Sequence, residues 1–328
     1  MRRALLVGLD HYDDAQVQDL RGCVNDVLAL APLLERHENG KPNFATKLLT
    51  AKSEGDARTR VTRDELLAEM GELFAPGVDM SLLYFSGHGA PHKSADDVWL
   101  VTSDAGGQTF GVRFTEILEL IRNCDQPVIV ILDCCFSGGA GGVPAVLTGT
   151  DVLRRGLTIL AASRGDQPSM EAGGRGLFSM FLEDALHGAA ADLLGQVNVS
   201  GLYAYLSEAF GPWDQRPTFK ASIDRLHTVR EVEPQVKRST LHKLPEWFPY
   251  ADHQFPLDPT FEPDKSGNGL PPHPEHEAIF EELQALRAAN LLIPVGEKHM
   301  FYAAINSTAC ELTRVGKHYR DLAKRKLL

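Results

Sequence analysis

Two stretches of the sequence decide the fold: MSLLYFSGHG at residues 80–89 and VIVILDCCFSGG at residues 128–139. Each begins with a mostly apolar run, which is typical of a strand buried on both faces of a parallel sheet. Each then passes into a short polar motif that contains glycine, with His88 in the first and Cys135 in the second. We therefore predict two buried strands that each end at a chemically reactive side chain.

Apolar runs of strand length alternate with helical patterns through the first two thirds of the chain. The predicted strands are Ala4 to Leu9, Phe44 to Thr50, Met80 to Phe85, Val98 to Val101, Val128 to Leu132 and Leu157 to Ala162, and predicted helices lie at 25–36, 62–73, 114–121 and 177–186. This alternation predicts an α/β fold with a mainly parallel sheet covered by helices on both faces. Ligand sites of such folds form at the carboxyl ends of the strands, where both polar motifs lie.

Composition excludes several classes of protein. The chain has 328 residues, of which 43% are hydrophobic and 23% charged, as in ordinary soluble domains. The net charge of −11 argues against a whole-protein nucleic-acid binder, because neutralising phosphates requires clustered Lys and Arg. The five cysteines are not spaced as a disulfide framework, which predicts reduced thiols in a cytoplasm. No apolar run is long enough for a membrane span or a signal peptide.

His88 and Cys135 are the candidate catalytic pair. A thiol nucleophile needs a base or a positive neighbour that favours the thiolate, and two neighbouring strand ends could bring these side chains together. Glycine beside His88 lets a main-chain N–H group approach a substrate carbonyl closely. The N–H groups of Gly89 and Cys135 would then form an oxyanion hole with two donors.

The motifs around these residues resemble those of the caspase superfamily, the clan CD cysteine peptidases, and come nearest to its metacaspase and bacterial branch. Caspase-type enzymes place the histidine about 50 residues before the cysteine, and in this sequence the separation is 135 − 88 = 47 residues. The resemblance covers roughly residues 1–230 and rests on LLVGLDHY (5–12), LRGCVND (20–26), YFSGHG (84–89), DCCFSGG (133–139) and AASR (161–164). It implies a caspase-like three-layer fold with Cys135 as nucleophile, His88 as general base and acid, and Cys134 as a packed neighbour.

Two carboxylates are the candidate substrate-binding groups. Residues two apart on a strand face the same side, so Asp133 would share the face of Cys135, and the resemblance to metacaspases puts Asp26 beside it. Two carboxylates in one slot would bind Arg or Lys and repel Asp, with bidentate geometry favouring Arg. The alternative for Asp26 is an ordinary charge at a helix N-terminus. Ser163 and Glu171 are further candidates for the wall of this slot.

The predicted chemistry requires no cofactor. Ca²⁺ activation occurs in many metacaspases, and Asp96, Asp97 and Asp104 are acidic residues in predicted loops. These three residues lack an EF-hand-like spacing, so the sequence leaves a metal site open. The pair Arg154-Arg155 is a candidate site of self-cleavage or activation cleavage, and an ordinary basic pair at a helix end is the alternative.

The composition of the sequence changes after about residue 230. Eight prolines fall between residues 245 and 275, which predicts a linker or an irregular connection over 231–275. The pattern of residues 276–328 predicts a helix, a strand from Met300 to Ile305, a partner strand at Cys310 to Thr313 and a closing basic helix. This order predicts a small α+β module of the winged-helix type.

These features predict a cysteine endopeptidase that cleaves proteins after Arg or Lys, acting in signalling, bacterial defence or regulated cell death in the cytoplasm. The expected partners are a protein substrate with an exposed Arg or Lys and a regulatory protein at the C-terminal module, rather than nucleic acid or a membrane. Two alternatives remain open at this point. One is a catalytically silent scaffold of the same fold, and the other is a DNA-binding regulator that uses the C-terminal module.

Overall fold

A computed structural model describes residues 1–54, 57–92, 97–107, 109–135, 154–162, 171–172, 174–211, 217–223, 226–264 and 270–328. At positions 54, 57, 109, 135, 171 and 172 it describes the backbone alone. The chain divides into two units. The first comprises Met1–Ala191 and Gln196–Val232, and the second comprises Asp192–Gly195 and Glu233–Leu328.

Strands and helices alternate along the chain. The strands are β1 Arg2–Leu9, β2 Phe44–Ala51, β3 Ser53–Glu54, β4 Ala57–Arg58, β5 Met80–Pro91, β6 Val98–Gly106, β7 Thr109–Arg113, β8 Val128–Cys135, β9 Leu157–Ala161, β10 Glu171–Ala172, β11 Arg175–Gly176, β12 Gln196–Asn198, β13 Thr218–Ser222, β14 Thr228–Glu231, β15 Gln254–Pro256, β16 Leu292–Val295 and β17 Ala309–Leu312. The helices are α1 Cys23–Glu35, α2 Arg63–Phe74, α3 Phe114–Arg122, α4 Leu177–Asp184, α5 Val199–Phe210, α6 Arg238–Trp247, α7 Pro274–Ala288, α8 Met300–Ile305 and α9 Arg314–Lys324, and a π-helical turn at Ala185–Ala189 follows α4.

Eight of the described strands form one sheet in the first unit. Its order is β13-β9-β8-β5-β1-β2, with β6 attached to β5 and β7 attached to β6. The neighbours from β9 to β2 all pair in parallel, whereas β13 and β6 pair antiparallel with β9 and β5. The prediction of an α/β fold with a mainly parallel sheet is confirmed.

Helices cover both faces of this sheet and make three layers. The alternation of strand side chains divides the core, because Leu5 and Val7 of β1 join one apolar cluster while Ala4 and Leu6 join the other. Helices α2 and α3 pack in the first cluster, and α1, α4 and α5 pack in the second. Each fully buried Leu or Val contributes about 1.5–3 kcal/mol of transfer free energy, so burial on both faces stabilises the folded sheet.

Gly8 shows how closely α1 lies against β1. A Cβ atom at this position would lie 2.5 Å from the carbonyl oxygen of Cys23 and 2.8 Å from a methyl carbon of Val27. Only glycine therefore allows the first turn of α1 to approach the strand. The close approach places Asp26, in that first turn, over the sheet beside the carboxyl ends of its central strands.

Helix α2 begins where the capping signal predicts. The side chain of Thr62 accepts a hydrogen bond from the backbone N–H of Glu65 at 3.3 Å, which satisfies one of the unpaired donors of the first turn. Apolar residues then recur at helical spacing, with Leu66, Met70 and Leu73 buried. The described part of the chain contains no helix that is both long and apolar enough to span a membrane.

The second unit is a small α+β fold. Strands β15, β17 and β16 form an antiparallel sheet in that order, and helices α6, α7 and α8 contribute to the apolar core of the unit. Phe248, Phe280 and Leu286 are fully buried at its centre. Leu193 and Leu194, from the segment of chain between the π-helical turn and β12, pack against this core.

The structure differs from the expected linker at 231–275. Helix α6 and strand β15 lie within that range, and both belong to the second unit. Leu241, Leu244 and Trp247 of α6 are buried at helical spacing, and Pro245 lies inside the helix. The prolines of this stretch suggest a linker, although the stretch contains an amphipathic helix.

The winged-helix expectation for 276–328 also differs from what is observed. Met300–Ile305 is helix α8 rather than a strand, and the strand lies earlier, at Leu292–Val295. The buried residues Met300, Ala303 and Ala304 follow the i, i+3, i+4 spacing of a helix. A helix, and not a turn, therefore separates the strands of this sheet, so the expected wing between them is absent from the described residues.

Candidate active site

Strands β5 and β8 bring the predicted catalytic positions together. They pair in parallel, and His88 is the register partner of Cys135, just as Ser86 is the partner of Asp133. Neighbouring strands lie about 4.8 Å apart, so the two backbone positions are adjacent across one sheet spacing. The side chain of Cys135 and residues 136–153, which include the rest of its motif, lie outside the described residues.

Strand β5 continues through the glycine-rich motif, where the sequence suggests a sharp turn. At Gly89 the strand exchanges its partner, because Gly89 pairs antiparallel with Leu100 of β6 while His88 still pairs with β8. Gly87 leaves little room for a side chain. A Cβ atom there would lie 3.1 Å from the hydroxyl of Tyr12 and 3.1 Å from the ring of Phe85.

The imidazole of His88 is oriented by the loop that follows β1. Its Nε2 atom lies 2.7 Å from the backbone carbonyl oxygen of Gln18. A carbonyl oxygen can only accept a hydrogen bond, so Nε2 carries a proton, and in the neutral imidazole Nδ1 is then the nitrogen with the lone pair. Gln18 could not have been found from the sequence, because its contribution comes from the backbone and any residue type supplies a carbonyl.

The same loop contributes Tyr12, which sequence reasoning also misses. Its hydroxyl accepts a hydrogen bond from the backbone N–H of His88 at 3.0 Å. The two rings lie 4.9 Å apart between centroids, at an angle of 42°. His88 is thus contacted at its main chain, at its ring face and at Nε2 by a single loop.

Five polar residues form a group beside the two predicted catalytic positions, and we call it the carboxylate cluster: Asp26, Ser86, Asp133 and Ser179, which are buried, and Arg175, whose side chain is 21% exposed. They come from α1, β5, β8, β11 and α4. The structure therefore brings Asp26 and Asp133 into one group, as expected. Ser86 could have been predicted from strand alternation, since it lies two residues before His88.

Asp26 is 1% exposed, and its carboxylate has internal partners. Its oxygens accept hydrogen bonds from Nε of Arg175 at 3.1 Å, from the N–H of Gly176 at 3.3 Å and from the hydroxyl of Ser86 at 3.4 Å. Burial raises the pKa of Asp26 to about 7. The charge of Asp133 adds to this rise, and Arg175 and Gly176 oppose it.

Arg175 bridges two carboxylates. Its Nε atom contacts Asp26, and its Nη1 atom donates a hydrogen bond to Glu183 of α4. It lies on a hairpin of two short strands, β10 and β11, with Gly174 at a positive φ of 77° directly before it. No sequence signal marks Arg175, because its partner Asp26 is 149 residues away along the chain.

Asp133 is 4% exposed and is held by a chain of hydroxyls. Ser179 donates a hydrogen bond to its Oδ2 atom, and the hydroxyl of Tyr84 lies within hydrogen-bond distance of Ser179. Since the one hydroxyl proton of Ser179 is given to the carboxylate, Tyr84 donates to Ser179. Burial raises the pKa of Tyr84 well above its usual value, so it remains a donor.

Cys134 has a different environment from the position that follows it. It is 1% exposed and belongs to the apolar cluster on the α2 and α3 face of the sheet, together with Val130 and Leu132. Asp133 faces the opposite side, where the carboxylate cluster lies. This placement agrees with the expectation that Cys134 is a packed neighbour.

The remaining candidate residues fall partly outside the described residues. Ser163 and Asp96 lie there altogether, and only the backbone of Glu171 is described. Arg154 donates hydrogen bonds to the carbonyl oxygens of Gln126 at 2.6 Å and of Arg155 at 2.9 Å. This contact fixes the Arg154 side chain of the basic pair that is a candidate cleavage site.

The two described acidic candidates for Ca²⁺ serve as hydrogen-bond acceptors. Asp97 accepts from the backbone N–H of Thr115 at 3.2 Å and from its hydroxyl at 2.5 Å, in the first turn of α3. Asp104 accepts from the backbone N–H of Arg63 at 3.0 Å, at the start of α2. Within the described ranges, no three His, Cys, Asp or Glu side chains are grouped as metal ligands.

Comparison with known proteins matches most of the chain to one family. The family model described as Caspase domain (Peptidase C14) matches residues 1–241. A curated relative, metacaspase-1 of Schizosaccharomyces pombe, is 26% identical over 165 residues. That match covers 47% of this chain and 38% of the relative, so the chain spans well under half of the length of that protein.

Solved structures with a similar arrangement include two insect caspase structures. The crystal structure of caspase-1 from Spodoptera frugiperda is 13% identical, covers 70% of this chain and 92% of its own, and gives a TM-score of 0.49. The structure described as pro-sf-caspase-1 is 12% identical, covers 69% and 93%, and gives a TM-score of 0.47.

Proposed function

Since the chain belongs to the caspase-domain family of cysteine peptidases, we propose that it is an endopeptidase that cleaves proteins after arginine and, less readily, after lysine. In this proposal Cys135 is the nucleophile and His88 is the general base and acid. The observation that carries it is the register of β5 and β8, which makes these two positions direct neighbours.

The hydrogen bond at Nε2 supports the assignment of His88 as the base. Because Nε2 donates to the carbonyl of Gln18, Nδ1 is the nitrogen left to accept the thiol proton of Cys135. The thiolate then attacks the substrate carbonyl carbon, and the protonated imidazole gives that proton to the departing amine. Water hydrolyses the resulting thioester, with His88 taking a proton from the water and returning it to the thiolate.

The oxyanion hole is proposed from the backbone of the same two strands. The N–H groups of Gly89 and Cys135 would donate to the negatively charged oxygen of the tetrahedral intermediate. Gly89 directly follows His88 at the point where β5 leaves β8 for β6, so the backbone there is not enclosed between two parallel strands. Main-chain donors of this kind are rigid and cost little reorganisation during the reaction.

The specificity for a cationic residue is proposed from the charges near the catalytic positions. Asp26, Asp133 and Glu183 carry three carboxylates, against one guanidinium on Arg175. An arriving arginine side chain would find an excess of negative charge and could form two parallel hydrogen bonds with one carboxylate. An aspartate side chain would instead meet like charges in a buried group. Ser163 stays a proposed member of this site.

The wider biological role is proposed on the family alone. Protein substrates with an exposed Arg or Lys, a cytoplasmic site of action, and a part in signalling, defence or regulated cell death are the functions we expect. Ca²⁺ activation stays a prediction from the resemblance to metacaspases, and adding Ca²⁺ to the chelated protein tests it. A regulatory protein partner for the second unit stays a prediction of the same kind.

Matched cysteine variants test the nucleophile. We expect Cys135→Ala to abolish peptidase activity, and His88→Ala to lower kcat/KM by more than about a hundredfold, the lower range for loss of a general base. Cys134→Ala, one position away and packed in the apolar core, is the control and should keep most of the activity. Activity should be measured with a library of fluorogenic peptides that varies the residue before the cleaved bond.

If Cys135→Ala stays active and Cys134→Ala does not, the nucleophile has been assigned wrongly. If no peptide is cleaved by the wild-type chain, the silent scaffold is the better description.

A further inference from the structure

Beyond the last residue of β5 that pairs with β1, the side chain of Tyr12 accepts the backbone hydrogen bond of His88. The pairing of β1 with β5 ends at Gly8 and Ser86, two residues before His88. The chain leaves the sheet after β1 and returns through Tyr12, whose hydroxyl accepts the backbone N–H of His88 at 3.0 Å. The same hydroxyl donates to the carbonyl oxygen of Leu9 at 3.1 Å. One buried phenol thus links the end of β1 to the backbone of the catalytic histidine.

The fit around this hydroxyl is tight. Tyr12 is 3% exposed, and burial raises its pKa well above the usual value, so the phenol stays protonated and keeps both hydrogen bonds. Gly87 lies against it, and a Cβ atom there would approach the hydroxyl to 3.1 Å. A side chain at position 87 would therefore crowd the Tyr12 hydroxyl beside the N–H that it accepts.

The loop that carries Tyr12 is itself anchored. The backbone N–H of Tyr12 donates to Asp19 at 2.9 Å, and His11 contacts the same carboxylate at 3.1 Å. Asp10 accepts the backbone N–H of Cys23 at 2.9 Å, at the start of α1. The loop is thus held by α1 through Asp10, and Tyr12 is held by Asp19 of the same loop.

We propose that Tyr12 is a positioning residue for His88, which fixes both the backbone and the ring plane so that Nδ1 faces Cys135. This inference rests on the proposed function of the His88–Cys135 pair. The hydroxyl acts on the main chain, and the phenol ring, 4.9 Å from the imidazole, limits the rotation of the ring. The carbonyl of Gln18 fixes the proton on Nε2, and Tyr12 fixes where the other nitrogen points.

Two substitutions separate the contributions of hydroxyl and ring in the full-length chain. Tyr12→Phe keeps the ring and removes the hydrogen bonds, and Tyr12→Leu removes both. We expect kcat on an arginine peptide to fall about tenfold in the first and about a hundredfold in the second, the latter reaching the lower end of the range for a lost general base, while KM changes less than twofold. Tyr250→Phe, at a site 61% exposed in the second unit, is the control and should change neither constant.

The pH dependence of thiol alkylation gives a readout that a purely structural role would not move. The rate at which iodoacetamide modifies Cys135 follows the thiolate fraction, and an oriented imidazole keeps that fraction high at low pH. In Tyr12→Phe we expect the midpoint of this profile to move up by about one pH unit, towards that of a free thiol. Should Tyr12→Phe fold poorly, Gly87→Ala crowds the same hydroxyl and should give the same shift. The thermal midpoint of each variant is recorded alongside.

The outcomes distinguish this inference from the proposed function. An unchanged kcat and alkylation profile in folded Tyr12→Phe, with only a lower thermal midpoint, would overturn the positioning role. His88→Ala is measured in the same two assays. If that variant loses activity and Tyr12→Phe does not, the inference alone fails. If His88→Ala keeps full activity, the base has been assigned wrongly and the proposed function fails with it.

Discussion

Asp26 is a buried carboxylate whose charge depends on its neighbours. Burial raises its pKa from 3.8 to about 7 in the folded chain, with Asp133 adding to the rise. Between these two pH values the folded state binds a proton that the unfolded chain lacks. The contribution of Asp26 to folding stability is therefore fully present below pH 3.8 and is lost as the pH rises through about 7. The negative charge of Asp26, which would bind a substrate cation, therefore forms as the pH rises through about 7.

Binding of a cation should follow the ionisation of Asp26. In the Cys135→Ala chain, which cannot turn over substrate, we expect the affinity for agmatine, a small guanidinium compound, to fall about tenfold between pH 8 and pH 6. Asp26→Asn should remove most of this pH dependence, and Asp64→Asn, at a carboxylate 94% exposed, should leave it intact. Isothermal titration calorimetry at several pH values measures the affinity of each variant for agmatine. An identical pH dependence in Asp26→Asn would show that another group governs cation binding.

Residues differ in how far the sequence predicts their role. His88, Asp133 and Cys135 lie in motifs whose order and spacing are informative, and the structure places all three positions on neighbouring strands. Arg175 could not be predicted, because its role depends on a contact with Asp26 that only the folded chain creates. Gln18 acts through a carbonyl oxygen, so no pattern of side chains can identify it.

The packing of α1 on β1 is the element-scale feature that places Asp26. Gly8 allows this packing, because any Cβ at that position would lie 2.5 Å from the backbone of α1. A backbone atom cannot rotate away as a side chain does, so the whole helix would have to move. The position of Asp26 relative to β5 and β8 therefore depends on a glycine of β1 that is distant in sequence from His88 and Cys135, although it pairs with Ser86 in the sheet.

Replacing Gly8 with alanine should lower both stability and activity. We expect Gly8→Ala to reduce the free energy of unfolding by about 1–3 kcal/mol, as overpacking in a core does, and to weaken cation binding by shifting Asp26. Gly71→Ala is the matched control, because that glycine lies in α2 with open space around its Cβ position, and alanine there should stabilise the helix by up to about 1 kcal/mol. Urea unfolding measures both. Equal stability of the two variants would contradict the close packing of α1.

Elements with a strong period are predictable from the sequence, whereas a short apolar segment can fit either a strand or a helix. The strands and helices predicted in the first 230 residues agree with the structure to within a few residues at most ends, except where β5, β6 and β8 continue beyond their predicted apolar runs. Helix α5 and the strands β7, β12, β13 and β14 are not among the predicted elements. The strand predicted at Met300–Ile305 is wrong because six mostly apolar residues fit either structure, and only tertiary packing selects the helix. Helix α6 escapes prediction because prolines around and within it outweigh its amphipathic spacing.

The two units each have an apolar core of their own. The first has a cluster on either face of its sheet, and the second has a separate cluster centred on Phe248 and Phe280. The proposed catalytic groups and the carboxylate cluster all belong to the first unit. The chemistry should therefore need the first unit alone, whose last segment ends at Val232.

Truncation after Val232 should leave a folded peptidase. We expect this shortened chain to keep its kcat on short peptides within about threefold, because no proposed catalytic residue is lost. Leu193 and Leu194 pack against the core of the second unit and would become exposed, so a version with both changed to Ser should be more soluble. Circular dichroism and peptide hydrolysis measure the two properties. An unfolded product, in both versions, would mean that the first unit depends on the second.

The most direct test of the central claim is the ratio of kcat/KM for two peptides that differ only in having Arg or Asp before the cleaved bond. The buried carboxylates of Asp26 and Asp133 beside the His88 and Cys135 positions predict a ratio above about a hundred in favour of Arg, with both activities lost in Cys135→Ala. A ratio below one, with cleavage after Asp that still depends on Cys135, would contradict the proposed specificity and the role given to the carboxylate cluster.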